Sequence, residues 1–538
     1  MGNISSARVV CLAVLALCGI AFAISLKITD GNLVYAIDDC YIHLALARNL
    51  ADTGIWGIRP DEYAFASSSP LWTCLLALSF KIFGFHEVFA AVYAALFCMA
   101  SAWVVDRILS VWFRPDWQRA LLSLCVMLAL PVTTAAILGM EHAMHVFSIL
   151  LLVYFYLRKV SPSGLMLAAA FAAGTRYESL FVIIPLAGAE LCQRRMRESF
   201  ALLVGAFAPP VCYGAYALAH GGTFLPNSLM VKSALSIGYT FYDRLWQAAS
   251  CGGMVENAVV YFSGLMLLAL SFATGLTGRF RLLLLASAVS VFGHLVFAKT
   301  GWTYNVNRYE MYLLALSAPL VLLSISQIKS ACVESQFRRL VNLTLLAVGG
   351  IFLLGMLAYG LDSGFRALRA PRETYETPLV GARVLASLPK DRQGPIFLND
   401  LGLIAERTTV PVIDVCGLGE QETFELRRAG NRSPSRMADV LRRRNARYAA
   451  VFPFMWSYKV MTEEFALKPV AVLYGARQNA WPTGQLLFYA FKEEDEPFLA
   501  NHLKDFQSQL PKGLSFLIRD CDTGSSMSNT ASSPESVQ

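Results

Sequence analysis

Ala36-Ile37-Asp38-Asp39-Cys40-Tyr41-Ile42-His43 sets two adjacent carboxylates just behind the first apolar run of the chain, Val9 to Ser25. As a helix that run reaches across most of a hydrocarbon core, so the acids emerge at the far face of a bilayer. One Asp suffices to cap a helix over Cys40 to Leu50, and capping is the ordinary duty of an acid in that place. The second is surplus to it. A surplus carboxylate at a membrane surface suits a general base on a hydroxyl, or a group that holds a sugar hydroxyl or a divalent cation.

The rest of the chain supports a membrane setting. Of its 538 residues 56% are hydrophobic and 15% charged, with a mean hydropathy of +0.50, whereas soluble proteins carry roughly 25% charged residues. The net charge of +7 comes from basic residues scattered between apolar runs, which is the pattern of cytoplasmic loop anchors and not of a nucleic-acid-binding face. The twelve cysteines lie mostly inside apolar runs without a Cys-x-x-Cys pair, so neither a zinc site nor a disulfide framework is indicated. Cys416 and Cys521 are the two that would meet on an exported domain. Arg8 and the small residues Ala21 to Ala23 also suit a signal peptide, but in a polytopic chain a retained anchor explains them equally, and retention is expected.

Basic loops placed in the cytoplasm give an inside N-terminus and about eleven membrane segments. Val88 to Val105 leads to Arg107, Arg114 and Arg119; Trp117 to Ile137 and Ala143 to Tyr156 lead out and back to Arg158 and Lys159. Leu165 to Ala173 and Leu180 to Leu191 are too short to span singly and read as a tight hairpin ending at Arg194, Arg195 and Arg197. Phe200 to Leu218, Val259 to Thr277, Leu282 to Phe297, Met311 to Ile325 and Leu340 to Tyr359 follow. Beyond them, short apolar runs (Pro395 to Leu398, Val410 to Val415, Tyr448 to Phe452, Val470 to Leu473, Gly484 to Lys492) alternate with polar helical stretches such as Ser433 to Ala446, as in an α/β domain. The expected organisation is a transmembrane catalytic domain over residues 1–360, with a first outer loop over 27–85. An exported α/β domain over 361–520 and a disordered tail over 521–538 complete it. No repeat of fixed period is present.

In this topology four polar sets share the outer face: Asp38-Asp39 with Tyr41 and His43; Gly139-Met140-Glu141-His142; Pro226-Asn227-Ser228 with Lys232; and Asn307-Arg308-Tyr309-Glu310. Each has an ordinary reading as a helix terminator, a solvated lysine or an arginine snorkelling to lipid phosphates. Their convergence is what suggests a site. Arg176-Tyr177-Glu178, at the hairpin tip, is an ionisable pair that either neutralises itself or serves a ligand.

The order of these motifs resembles the polytopic glycosyltransferases of the GT-C superfamily, with arabinofuranosyltransferases of mycobacterial type and bacterial relatives the most similar. Asp38-Asp39-Cys40-Tyr41-Ile42-His43 with Ala47-Arg48-Asn49-Leu50 resembles that family's acidic first loop and the amphipathic helix after it. Ala66-Ser67-Ser68-Ser69-Pro70-Leu71-Trp72 resembles the start of its second juxtamembrane helix, so that Leu71 to Phe83 need not span. Gly139-Met140-Glu141, Thr175-Arg176-Tyr177-Glu178, Pro226-Asn227-Ser228 with Lys232, and Asn307-Arg308-Tyr309 are similar to further elements, Tyr177 standing where proline is usual. Asn399-Asp400-Leu401-Gly402 and Val412-Ile413-Asp414-Val415-Cys416-Gly417-Leu418 look like paired strand motifs of the exported domain.

The resemblance implies an α-helical polytopic membrane fold of GT-C type with a C-terminal exported α/β domain, in the cytoplasmic membrane. It implies inverting transfer of a sugar from a polyprenyl-phosphate donor to a glycan, lipid or protein hydroxyl. Asp38 is then the general base and Asp39 its companion at the acceptor or a metal; Arg308, Lys232 and Arg176 meet the donor phosphate; Glu141, His43, Tyr41 and Asn227 contact substrate. No cofactor is required by the sequence, and a divalent cation, if used, would fall to Asp39 and Glu141. A transporter or flippase of lipid-linked sugars and a non-catalytic envelope assembly protein are the competing readings.

Overall fold

The computed structural model describes residues 5–114, 116–232, 246, 258–273, 276–298, 308–330, 335–408, 410–428, 433–453, 456–475 and 484–519. Its first half is a helical bundle. In chain order come α1 (Ser6–Ile28), α2 (Asp39–Thr53), α3 (Pro70–Phe83), α4 (Val88–Leu109), α5 (Asp116–Ala129), α6 (Val132–Leu138), α7 (His142–Leu157), α8 (Pro162–Thr175) and α9 (Leu180–Cys192). They are followed by α10 (Met196–Ala219), α11 (Asn227–Lys232), α12 (Ala258–Ser271), α13 (Gly278–Phe297), α14 (Met311–Ser330) and α15 (Gln336–Ala367). Among the described residues six helices, α1, α4, α10, α13, α14 and α15, are long and apolar enough to cross a membrane, and α3, α7, α8 and α12 are shorter apolar helices.

The run expected to span from Trp117 to Ile137 is instead two helices, α5 and α6, because Pro131 at their junction has no N–H to continue the ladder. The expected hairpin is α8 and α9, joined by a single 3-10 turn at Tyr177–Ser179, both packing along α10. The basic ends of the helices gather together. Arg119 pairs with Asp106 and Asp116 and donates to Ser6, Trp112 packs on Phe280, and Arg279 lies between Tyr156 and Glu190, which Arg195 also approaches.

After α15 come α16 (Ala370–Glu376) and α17 (Pro378–Ala386), then a six-stranded sheet of β1 (Ile396–Leu398), β2 (Val412–Asp414), β3 (Tyr448–Val451), β4 (Ala471–Tyr474), β5 (Gln485–Ala490) and β6 (Phe516–Ile518), in the order β2-β1-β3-β5-β4-β6. β1 runs parallel to β2 and β3, and the remaining pairs are antiparallel. Five strands lie in the apolar runs read from the sequence; β6 was not anticipated. Side chains alternate along each strand. Phe397, Leu487 and Tyr489 pack with Met437, Val440 and Leu441 of a helix at Pro434–Arg443, while Ile396, Leu398, Leu486 and Phe488 join the core that runs on through α17 into the bundle. The sheet and the bundle are therefore joined by one apolar core, and the expected division at residue 360 falls inside α15. The tail beyond 519, with Cys521, lies outside the described residues.

Polar bonds reinforce the docking. Asp38 Oδ2 and Oδ1 accept the N–H groups of Gly402 and Leu403 at 2.7 and 2.8 Å, the opening of a short helix, α18 (Gly402–Arg407). Thr374 donates to the Ala36 carbonyl at 3.0 Å and Arg407 to Glu87 at 2.7 Å.

Candidate active site

Asp38 stands at the N-cap position of α2, yet its side chain makes no bond to that helix. Its two oxygens are spent on α18. Burial pushes its carboxyl up to about 7, against the pull of the N–H groups of Leu403 and Gly402. Asp39 begins α2 with its side chain turned to the other side, where Arg308 Nη2 donates to Oδ2 at 2.7 Å. Arg308 enters from just before α14, donates also to Tyr309 Oη at 2.9 Å and to Met140 Sδ at 3.4 Å, and stacks over the Tyr309 ring at 4.8 Å.

A second charged group lies deeper. The 3-10 turn between α8 and α9 presents Arg176, which pairs with Glu141 at the start of α7 and with its own neighbour Glu178. Glu141 is fully buried. Its other oxygen lies 3.4 Å from His43 Nε2, and His43 Nδ1 is held by Ser67 and Thr73 at 3.3 and 3.4 Å. The positive φ of Gly139 lets the chain turn between α6 and α7 directly above Tyr35 and Cys40, which brings Glu141 towards α2.

Asp39 and the cluster of His43, Glu141, Arg176 and Glu178 share one cavity of about 530 Å³. Asp39, His43, Ser68, Glu141, Arg176, Glu178, Ser228 and Tyr309 line its polar end, and Phe181, Ile184, Pro185, Val289, Gly293 and Phe297 line an apolar limb between α9 and α13. Ile184, Val289 and Phe297 are 44%, 57% and 49% exposed, on helix surfaces that a bilayer would cover, so the limb opens sideways towards lipid. Leu418 closes the cavity from the C-terminal domain. Its loop is shaped by Asp414, which accepts from the N–H groups of Cys416, Leu418 and Gly419.

Of the residues expected from the sequence, the cavity gathers Asp39, His43, Glu141 and Arg176, with Arg308 held against Asp39 at its rim. Asp38 and Tyr41 lie outside its lining, Tyr41 buried against Tyr35 with its hydroxyl accepting the Tyr35 N–H. Asn227 stands one layer back and donates to the Leu418 carbonyl at 3.4 Å. Asn307 and the side chain of Lys232 lie outside the described residues. Among the described residues no three His, Cys, Asp or Glu side chains gather as metal ligands; Asp39 and Glu141 are separate carboxylates with different cationic partners. Unanticipated were the apolar limb, the roof at Leu418, and the parts of Ser68 and Tyr309. Only the last two stood inside motifs that pointed here.

The architecture is an α-helical bundle, with six helices among the described residues long and apolar enough to cross a membrane, and an α/β domain at one end. A solved structure of this fold is ArnT from Cupriavidus metallidurans bound to undecaprenyl phosphate, which matches with a TM-score of 0.50 at 13% identity, over 89% of this chain and 98% of that one. No family model and no curated protein matches the sequence.

Proposed function

We propose that this chain is a membrane glycosyltransferase that moves a sugar from a polyprenyl-phosphate donor to a hydroxyl of an envelope glycan, lipid or protein. The supporting observation is the union, in one cavity, of a lipid-facing apolar limb with a charged end lined by Arg176, Asp39, Glu141 and Glu178, with Arg308 paired to Asp39 beside it. A polyprenyl chain fits the limb, and its phosphate then falls beside Arg308 and Arg176, the side chains suited to it. The fold, shared with a protein that binds undecaprenyl phosphate, agrees with that placement.

In this reading Asp39 is the general base, not Asp38, whose oxygens are occupied. Asp39 takes the acceptor's hydroxyl proton as the oxygen attacks the anomeric carbon from the face opposite the phosphate. The bond from that carbon to the phosphate oxygen breaks, and polyprenyl phosphate leaves with the electron pair, its charge met by arginine. The C-terminal domain lies on the exported side.

Purified protein in nanodiscs, supplied with polyprenyl-phosphate arabinose and other polyprenyl-phosphate sugars, should release polyprenyl phosphate and form a glycoside. Asp39→Asn should lower turnover by about 10²- to 10⁴-fold, the usual cost of losing a general base. Movement of donor between leaflets without release of polyprenyl phosphate would point to a flippase.

A further inference from the structure

Arg176 in the cavity and Arg308 at its rim are held differently. Arg176 faces two carboxylates and its side chain is 6% exposed, whereas Arg308 and its partner Asp39 are 15% and 24% exposed. Arg176 is thus committed inside a buried triad, and withdrawing it would leave two carboxylates uncompensated in the interior. Among the described residues Arg308 has one ion-pair partner, and that pair is more exposed than the Arg176 triad, so exchanging it leaves less buried charge uncompensated.

Among the described residues, the charged end and its rim hold the carboxylates Asp39, Glu141 and Glu178 against the guanidinium groups of Arg176 and Arg308. An incoming phosphodiester adds a negative charge. It can be accommodated by the cation whose present bond is weakest, and Asp39 is the group that loses it. On the reading of the site as a polyprenyl-phosphate glycosyltransferase, we infer that Arg308 is a two-position element. It holds Asp39 in an ion pair, and on donor entry it passes to the phosphate and leaves Asp39 to act as base. Tyr309, whose hydroxyl receives Arg308 Nη2 and whose ring lies under the guanidinium, guides the exchange. Proton acceptance is then coupled to donor occupancy: the acceptor meets an active carboxylate only after the donor is in place.

Equilibrium binding of undecaprenyl phosphate to the full-length chain in nanodiscs tests this without turnover. Relieving the competition with Asp39→Asn should tighten binding about 5-fold, the factor that corresponds to an exchanged ion pair of ~1 kcal/mol. Arg308→Gln should weaken binding, Arg308→Lys should recover part of it, and Asp39→Asn placed in the Arg308→Gln background should change nothing further. Equal tightening by Asp39→Asn in both backgrounds would show simple charge repulsion and overturn the exchange, as would no tightening in either. Failure of the wild-type chain to bind undecaprenyl phosphate would overturn the glycosyltransferase reading itself, and the exchange with it.

Discussion

Asp38 and Asp39 are neighbours in sequence with opposite surroundings, and substitution separates them. Asp38→Asn keeps the volume but turns an amide against one of the two N–H groups at the start of α18, leaving a buried donor unmet at a cost of about 1–3 kcal/mol. The expected result is faster amide exchange at Gly402 and Leu403 and a lower unfolding temperature, with donor binding largely kept. Acidity gives the same seam a signature. Asp38, and Glu406 of α18, are pushed up to about 7 chiefly by burial, while in an unfolded chain such groups lose their protons near 3.9 and 4.3. Between about pH 4 and 7 the native chain holds protons that the unfolded chain has released, so stability falls as pH rises through that window and levels off above it. Thermal unfolding midpoints should decline from about pH 5 to about pH 7.5, less steeply in Asp38→Asn. A midpoint that climbs across that range would contradict the burial of these carboxyls.

The helix opening at Gly402 fits its place because it has no side chain. A methyl there would run into the Asp38 carbonyl oxygen and stand 2.8 Å from Oδ2. Gly402→Ala should push α18 away from α2, loosen Leu418 over the cavity and expose the loop at residues 416–419 to protease, whereas Gly355→Ala, with no atom within 4 Å of the new carbon, should leave that loop protected. This seam also shows how far the sequence could be read. The strands were legible because each was an apolar run between polar stretches, except β6, whose three residues are too short for a pattern to form. The charged cluster was legible because ionisable residues are conspicuous among apolar helices. The limb was not: Phe181, Ile184, Val289 and Phe297 look like any lipid-facing side chains until α9 and α13 are seen to line one cavity. Nor was the duty of Asp38, since its partners are backbone N–H groups, which every residue but proline has.

The proposed orientation rests on the basic helix ends, joined by the Arg119, Arg279 and Arg195 contacts at the end away from the α/β domain. Reporter fusions after Arg197 and Arg281 should read as cytoplasmic and fusions after Asp362 as exported; a cytoplasmic α/β domain would reverse the placing of the cavity. The bonds from Asp38 to Gly402 and Leu403 join positions 364 and 365 residues apart. At the usual pace of ribosomal elongation, that separation takes roughly 20–70 s to synthesise. Throughout that interval the nascent chain carries its acids and arginines under an open roof, and the cavity closes only once the last third has emerged and folded back. On the proposed function, a lipid-linked sugar then meets a complete chamber only on a finished molecule, which spares it from being spent on a half-made one.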